Sequence, residues 1–304
     1  MARILVTGGA GFIGSHLVDE LLKKKHKVFV VDDLSVGKKE FLNSHAKFAK
    51  MKIQAPQLLK LFRKESFEYV YHLAAQKNLQ YSKEHPVEDA ETNIVGSLRV
   101  IEAAKKFNVR KIIFYSTAAV YNPDSTPPNK ESDTLQPITP YGIAKSVIES
   151  YLQISRLSYT VLRLSNVYGP RQDADGEGGV IAVFCKKLAN KKPPQIYNTG
   201  RQTRDYIYVA DVVKASLRSM TKGNNEILNI STGKETTVNS LYKTLAHLSN
   251  THITAIRGKK VTEQIRSSLA NTKAKNILTW SPSINLNLGL QKTYNWFIEQ
   301  TWQT

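Results

Sequence analysis

The sequence predicts an α/β protein built on a doubly wound parallel sheet, with a smaller C-terminal lobe. Three observations carry that reading. Apolar, β-rich runs recur at residues 3–7, 28–31, 69–74, 111–115 and 159–164, separated by segments of helical periodicity, and such alternation gives a parallel sheet covered on both faces. The first run feeds a glycine-spaced turn that opens directly into an amphipathic stretch. Beyond Leu164 the rhythm gives way to loops marked by glycine and proline. At 304 residues the chain exceeds the roughly 250 at which single cores stop growing, so two lobes sharing a cleft are expected.

The first unit reads Arg3-Ile4-Leu5-Val6-Thr7, then Gly8-Gly9-Ala10-Gly11-Phe12-Ile13-Gly14, then a helix carried by Ile13, Leu17 and Leu21. Gly8 permits the tight turn, Gly11 lets the backbone approach a pyrophosphate, and Gly14 lets the helix sit close to the strand while its N-terminus offers free N–H groups. This is the Rossmann signature, and a dinucleotide is the expected guest. The second run, Val28 to Val31, ends in Asp32 and Asp33, where a carboxylate accepts hydrogen bonds from the adenosine ribose and repels a 2′-phosphate. NAD is therefore favoured over NADP, and Lys38 and Lys39 just beyond read as a solvated pair.

A doubly wound sheet binds ligands at the carboxyl ends of its strands, so the later elements are read at those ends. Helical periodicity at Ile94, Leu98 and Ile101 separates the third and fourth runs, and the fourth continues to Tyr115-Ser116-Thr117. A helix then starts at Thr139-Pro140-Tyr141-Gly142-Ile143-Ala144-Lys145 and continues to Leu152, with Thr139 suited to the cap and Pro140 to the first position. A spacing of four puts Tyr141 and Lys145 on one face. A phenol titrating near 10 is a poor base at neutral pH, but a neighbouring ammonium and an oxidised nicotinamide both favour the phenolate. Tyr141 becomes a usable acid/base, and Thr117 offers a hydroxyl to orient the substrate oxygen.

The later loops include Asn166-Val167-Tyr168-Gly169-Pro170, Gly176-Glu177-Gly178-Gly179, Pro193-Pro194 and Asn198-Thr199-Gly200. The expected division is a dinucleotide-binding domain over 1–165, rejoined by about 205–232, and a substrate lobe made mainly of 166–304. Lys plus Arg number 43 against 25 Asp plus Glu, a formal net charge of +18. The lysines fall in short runs, such as Lys23-Lys24-Lys25, Lys105-Lys106 and Lys186-Lys187, where helices end and cations favour the dipole. No nucleic-acid motif accompanies them, so no such partner is expected. No segment approaches the roughly 20 apolar residues that cross a bilayer, and the first strand starts at once, so a cytoplasmic protein without a membrane partner is expected. Cys185 is the only cysteine, which excludes an internal disulfide and a cysteine-cluster metal site and reads as a buried thiol.

Taken together, the chain resembles the extended short-chain dehydrogenase/reductase family, and within it the UDP-glucose (UDP-galactose) 4-epimerases. The likeness spans Thr7 to Gly14, Asp32-Asp33-Leu34-Ser35, His72-Leu73-Ala74-Ala75, Asn93, Ser116 to Tyr121, Tyr141 to Lys145, Asn166 to Gln172 and Arg204 to Val209. It implies that Tyr141 removes the 4-hydroxyl proton while hydride passes from sugar C4 to NAD, and that the 4-keto sugar turns over and takes hydride back on its other face. Lys145 would bind the nicotinamide ribose and tune Tyr141, and Thr117 would fill the catalytic Ser/Thr position. Cofactor positions would be Gly8, Gly11, Phe12, Ile13, Gly14, Asp32, Asp33, Ser35, Ile53, Leu73, Ala74, Ala75, Lys77 and Asn93, with Tyr141 and Lys145. On the substrate side Asn166 and Arg204 match groups that hold the diphosphate and Tyr197 an aromatic beside the uracil. Val180, Arg266 and Ser268 are assigned with them. For Arg204, an ion pair with an acid such as Asp205 is the alternative.

Ala118 and Ala119 separate the chain from the dehydratases and decarboxylases of this family, which carry acids just after the catalytic Thr. Two departures stand out. Lys52-Ile53-Gln54-Ala55 replaces an Asp-containing stretch whose first Asp contacts the adenine amino group, at a cost of about 1 kcal/mol for a neutral contact, while Ile53 can still pack on the ring. Val261-Thr262-Glu263-Gln264 stands where Arg-x-Gly-Asp/Glu would hold the ribose and phosphate of UDP, leaving Arg257, Lys259, Lys260 or Arg266 to supply the cation. A serine at 268 leaves room for an N-acetyl group at sugar C2, or is a surface residue. The expected activity is NAD-dependent 4-epimerisation of UDP-hexoses, N-acetyl forms included. A UDP-hexuronic acid epimerase, which the cations at 257–266 suit, and a non-catalytic NAD or nucleotide-sugar-binding regulator stay open. A homodimer pairing helices near 92–106 and 141–155 is expected.

Overall fold

The computed structural model describes residues 1–175, 178–250 and 252–301. Gly176 and Glu177 of the glycine-marked loop lie outside the described residues. The chain runs β1 (Arg3–Thr7), α1 (Phe12–Lys23), β2 (Lys27–Asp32), β3 (Lys47–Lys50), α2 (Gln57–Glu65) and β4 (Tyr69–His72). Then come α3 (Leu79–Glu84), α4 (Pro86–Ala90), a π turn at Glu91–Val95, α5 (Gly96–Lys106), β5 (Lys111–Thr117), α6 (Pro140–Ile154) and β6 (Tyr159–Leu164). The later part holds β7 (Asn166–Tyr168), α7 (Val180–Ala189), β8 (Gln195–Ile196), β9 (Thr203–Arg204), β10 (Tyr206–Tyr208), α8 (Val209–Ser219) and β11 (Glu226–Ile230). It closes with β12 (Thr236–Thr237), α9 (Val238–Leu248), β13 (Ile256–Arg257), β14 (Arg266–Ser267), α10 (Thr272–Leu278) and α11 (Leu286–Thr301).

One sheet of seven strands, ordered β11-β6-β5-β4-β1-β2-β3 and parallel throughout, confirms the doubly wound reading. Period-two alternation along the strands sorts the apolar core into two layers. Ile4, Val6, Tyr71, Ile113, Tyr115 and Leu162 pack with Leu17 and Leu21 of α1 and Val212 of α8. Leu5, Val70, Ile112, Phe114 and Val161 pack with Phe62 of α2, Val100 of α5 and Ile148 of α6. Cys185 is buried in the first layer, and burial pushes its thiol up.

Five of the seven strands correspond to the apolar runs. Periodicity does not mark β3, because a four-residue edge strand bounded by Lys47 and Lys50 carries too little pattern, and lysine at an edge deters further pairing. The run at 69–74 stops as a strand at His72, and the chain then leaves the sheet to form a wall of the cleft. The lysine pairs do end helices: Lys23 closes α1, Lys105-Lys106 close α5 and Lys186-Lys187 close α7. No helix among the described residues is long and apolar enough to cross a membrane.

Two glycines set distances that matter below. A Cβ at Gly96, where α5 begins, would stand 2.8 Å from the side chain of Ile53. A Cβ at Gly142 would stand 2.5 Å from the carbonyl oxygen of Ala119, so only glycine lets the start of α6 lie against the turn that follows β5.

Candidate active site

The turn after β1 is built for an anion. Gly8 sits at φ +72° and donates to Val31 O at 2.8 Å, and a Cβ there would meet Ala74 N at 2.7 Å. A Cβ at Gly14 would stand 2.1 Å from Gly8 O, so α1 and the loop touch backbone to backbone. Gly11 caps α1 with no side-chain hydrogen bond, and no acid lies in the first turn, which leaves the N–H groups and the positive end of the dipole open.

At the end of β2, Asp32 is buried. It accepts from Ala10 N through Oδ2 and from Leu34 N through Oδ1, both at 2.9 Å. Burial pushes its carboxyl up, against the pull of those two N–H groups. Asp33 is less buried and accepts from Ser35 N and Ser35 Oγ at 2.9 and 2.6 Å. Asp32 thus ties the glycine loop to the next turn, and Asp33 faces the cleft with Ser35.

Behind the opposite wall runs a chain of buried hydroxyls and one imidazole. Ser97 Oγ donates to Asn93 O at 2.7 Å, so its contact with His72 Nε2 at 2.9 Å must be one in which the imidazole donates. The other ring nitrogen, Nδ1, then accepts from Thr7 Oγ1 at 2.7 Å, and Thr7 Oγ1 accepts from Ala74 N at 3.3 Å. Burial pulls His72 down to about 3, consistent with a neutral ring. This chain fastens the wall formed by Leu73, Ala74, Ala75 and Lys77.

At the carboxyl end of β5, Ser116 faces the cleft and Thr117 leads into the turn, its Oγ1 accepting from Ala119 N at 3.2 Å. Thr139 caps α6 by accepting from Gly142 N at 3.1 Å. Lys145 is buried. Its Nζ donates to Tyr115 O at 2.9 Å and stands 4.7 Å from the Phe114 ring centre and 5.7 Å from that of Tyr141. Burial pulls Lys145 down to about 8, partly opposed by the charges of Asp89 and Glu149. Burial, with the charge of Asp89 adding to it, pushes the Tyr141 hydroxyl well above its ordinary value. Burial thus outweighs the neighbouring ammonium, and the other influence expected to favour the phenolate, an oxidised nicotinamide, comes with the cofactor.

One cleft is lined by Gly8, Gly11, Phe12, Ile13, Gly14, Asp32, Asp33, Ser35, Ile53, Leu73, Ala74, Ala75, Lys77, Tyr141 and Lys145 together. Two predicted members stand elsewhere. Asn93 is buried behind the wall, donating to Gln76 O at 2.8 Å and to Asp89 Oδ1 at 3.0 Å, so it positions the wall rather than forming it. Thr117 is half-buried and outside this lining, in which its neighbour Ser116 stands. Lys52 lines the cleft beside Ile53, so its charge takes the place of the expected acid.

The remaining substrate-side positions lie on the later elements of the chain. Asn166 opens β7, is exposed, and donates its backbone N–H to Asp205 O at 2.9 Å. Val180 starts α7, and Tyr197 follows β8 with two-fifths of its surface exposed. Arg204 and Arg266 lie on adjacent strands, β9 and β14. Arg204 pairs with Glu263 at 2.9 Å, while Asp205 accepts from Thr232 and Gly233, so an ion pair with Asp205 is replaced by one with Glu263. Arg266 pairs with Glu235 at 2.6 Å. Ser268 is 2% exposed, which removes the surface reading, and its carbonyl accepts from Asn129 N at 2.9 Å.

Residues 4–231 match the model of the NAD dependent epimerase/dehydratase family. The chain belongs to that family. It is 44% identical to a UDP-glucose 4-epimerase from the hyperthermophile Thermotoga maritima, solved with UDP-glucose. The TM-score is 0.96 over 98% of this chain and 99% of that one. A UDP-glucose 4-epimerase of Mycolicibacterium smegmatis is 37% identical over 97% of this chain and 98% of its own length. A UDP-N-acetylglucosamine 4-epimerase from Methanobrevibacter ruminantium, solved with UDP-N-acetylmuramic acid, is 34% identical at a TM-score of 0.92, covering 98% and 99%.

The family's NAD dependence agrees with the residues present. A glycine cradle that a Cβ would fill, an uncapped helix N-terminus and an acid facing the cleft at the end of β2 suit a pyrophosphate and a ribose without a 2′-phosphate. Val36, Gly37, Met51, Thr92 and Ser116 also line this cleft. They carry no distinctive spacing, and only the adjacency of Ser116 to Thr117 could have marked one of them.

Proposed function

We propose that the protein is an NAD-dependent 4-epimerase of UDP-hexoses, UDP-glucose and UDP-galactose with their N-acetyl forms, in which Tyr141 is the acid/base. The observation that carries this is the presence of Tyr141 and Lys145 in the same cleft as the glycine loop and Asp33. NAD, when bound, supplies reversible oxidation at sugar C4 and a positively charged ring. The 4-hydroxyl gives its proton to Tyr141 Oη in one half of the reaction and recovers it in the other. Lys145, held by Tyr115 O, keeps a cation beside the phenol, and Thr117 orients the hydroxyl from the end of β5. Ala118 and Ala119 put no acid beside the sugar, which leaves a keto sugar nothing to eliminate water or handle a carboxylate.

The hexose reading is favoured over a hexuronic acid because Arg204 and Arg266, on neighbouring strands, are each already neutralised by a glutamate. A buried serine at 268 is compatible with an N-acetyl group. The molecule is proposed to be a homodimer. Ile143, Tyr151 and Ile154 form an exposed stripe on α6, 47, 42 and 75% exposed, with Val95 of the π turn at 44%, and an exposed apolar face of this kind calls for a partner. Sedimentation at micromolar concentration should show a dimer, and a monomer alone would remove this part.

The test is incubation of the protein with NAD and, separately, UDP-galactose, UDP-N-acetylgalactosamine and UDP-glucuronic acid, resolving C4 epimers by chromatography. Conversion of the first two, lost in Tyr141→Phe, is expected. Absence of any conversion with NAD bound would leave the binding-protein reading, and turnover by Tyr141→Phe at the parent rate would overturn the mechanism.

A further inference from the structure

Asp89 is an acid the mechanism above does not use. It lies on α4, 1% exposed, and its Oδ1 accepts from Gln76 Nε2 at 3.1 Å and Asn93 Nδ2 at 3.0 Å. Both donors are neutral amides. Gln76 and Asn93 are themselves joined backbone to side chain: Gln76 N donates to Asn93 Oδ1 at 2.9 Å, and Asn93 Nδ2 donates to Gln76 O at 2.8 Å. The side chain of Gln76 also donates to Asn78 O at 2.9 Å and accepts from Asn78 N. The cleft wall from Leu73 to Lys77 is therefore pinned from behind by one carboxylate, and α4 and the π turn pack on α6, which carries Tyr141 and Lys145.

We propose that Asp89 is a positioning residue for the Tyr141–Lys145 pair: its carboxylate fixes the 73–78 wall through Gln76 and Asn93, and its charge stands behind both reacting side chains. The proposal rests on the reading of Tyr141 as the acid/base. A buried charge facing neutral donors is poorly screened, so its field reaches both residues. It disfavours the phenolate and favours the ammonium, adding to the effect of burial at Tyr141 and opposing it at Lys145. The other charged groups around Tyr141 are Lys145 on its own helix and Lys77 from the wall. Glu149, a turn beyond Lys145, is bound by Arg163, and Glu88 of α4 accepts from Tyr81. Lys83 and Glu84 of α3, and Glu91 of the π turn, are exposed. Asp89 is thus the buried acid that acts on the phenol. Lys145 and Lys77 oppose it, and a cation arriving in the cleft adds to them.

Asp89→Asn tests this because the amide oxygen can accept from the same two donors while the charge is lost. NAD affinity should stay within about threefold of the parent, and the acid limb of kcat against pH should move to lower pH by about one unit. Asp89→Ala, which removes the acceptor as well, should weaken NAD at least about tenfold. An unmoved limb in Asp89→Asn overturns the proposal. Ultraviolet difference titration of the NAD complex, with Tyr141→Phe subtracted, reads the same tyrosine without any sugar. A shifted titration with no epimerase activity would sustain the proposal and remove the assigned reaction, whereas active enzyme with an unshifted titration would do the opposite. Should Asp89→Asn fail to fold, carbon NMR of the Asp89 carboxyl in the parent NAD complex must show a step at the Tyr141 titration that vanishes in Tyr141→Phe. Its absence from the parent would overturn the proposal.

Discussion

Arg204 and Glu263 are joined at 2.9 Å, and the second carboxylate oxygen of Glu263 accepts from Asn198 Nδ2 at 2.9 Å and Gln202 Nε2 at 3.0 Å. Arg204 also donates to Thr203 O at 2.8 Å. The guanidinium expected to hold a diphosphate is thus engaged by an acid standing at the glycine position of the Arg-x-Gly-Asp/Glu pattern. A diphosphate can use Arg204 only by displacing or sharing with Glu263. Their side chains are 17 and 28% exposed, so the pair is partly screened and displaceable. Glu263→Gln should tighten UDP binding roughly tenfold by calorimetry, about 1.4 kcal/mol, and Arg204→Leu should weaken it in either background. Weaker binding in Glu263→Gln would instead make Glu263 a ligand-contacting group.

His72 makes stability depend on pH. Its folded pKa lies at about 3 against an ordinary 6.5, so between those values the unfolded chain binds the extra proton and folding opposes it. The contribution is complete above pH 6.5 and is lost as pH falls toward 3. The loss amounts to about 2 kcal/mol at pH 5, out of a full effect of about 5 kcal/mol. His16 and His26 are also pulled down by burial and act in the same direction. Urea midpoints between pH 7 and pH 5 should fall in the parent and fall less in His72→Gln, which can still donate and accept. Equal slopes in the two would remove the assignment.

What the sequence made legible is what local chemistry imposes. Gly8 and Gly14 declare the turn because backbone contact permits nothing larger, and Tyr141 with Lys145 is visible because four residues make one helical turn. Asn93 and Asp89 are different. The first has the right residue type and the second no motif, and their roles depend on Gln76 arriving from another loop. The partner of Arg204 was equally out of reach, because Asp205 is adjacent in sequence while Glu263 arrives through the pairing of β9 with β14. Edge strand β3 was missed for want of length, not for want of a partner.

Arg163 and Glu149 form the buried pair on which the end of β5 rests. Their side chains are 3 and 2% exposed, and Arg163 Nε and Nη2 reach the carboxylate at distances of 2.5 to 3.1 Å. Ser116 of the cleft donates to Glu149 at 2.5 Å, and Tyr121 accepts from Arg163 Nη1 at 2.8 Å and donates to Asn229 at 2.8 Å. Desolvating two charges is compensated here by several hydrogen bonds, so the whole pair adds little net stability while the loss of one partner strands the other. Arg163→Met should cost about 3–5 kcal/mol in guanidinium unfolding. It would also leave Glu149 unpaired near Lys145, whose ammonium that carboxylate already favours. Adding Glu149→Leu should recover most of the stability without restoring the anchor for Ser116. Epimerase activity should therefore stay reduced in the double variant even as its midpoint returns. Recovery of both together would mean that the pair supports the fold alone and leaves the cleft untouched.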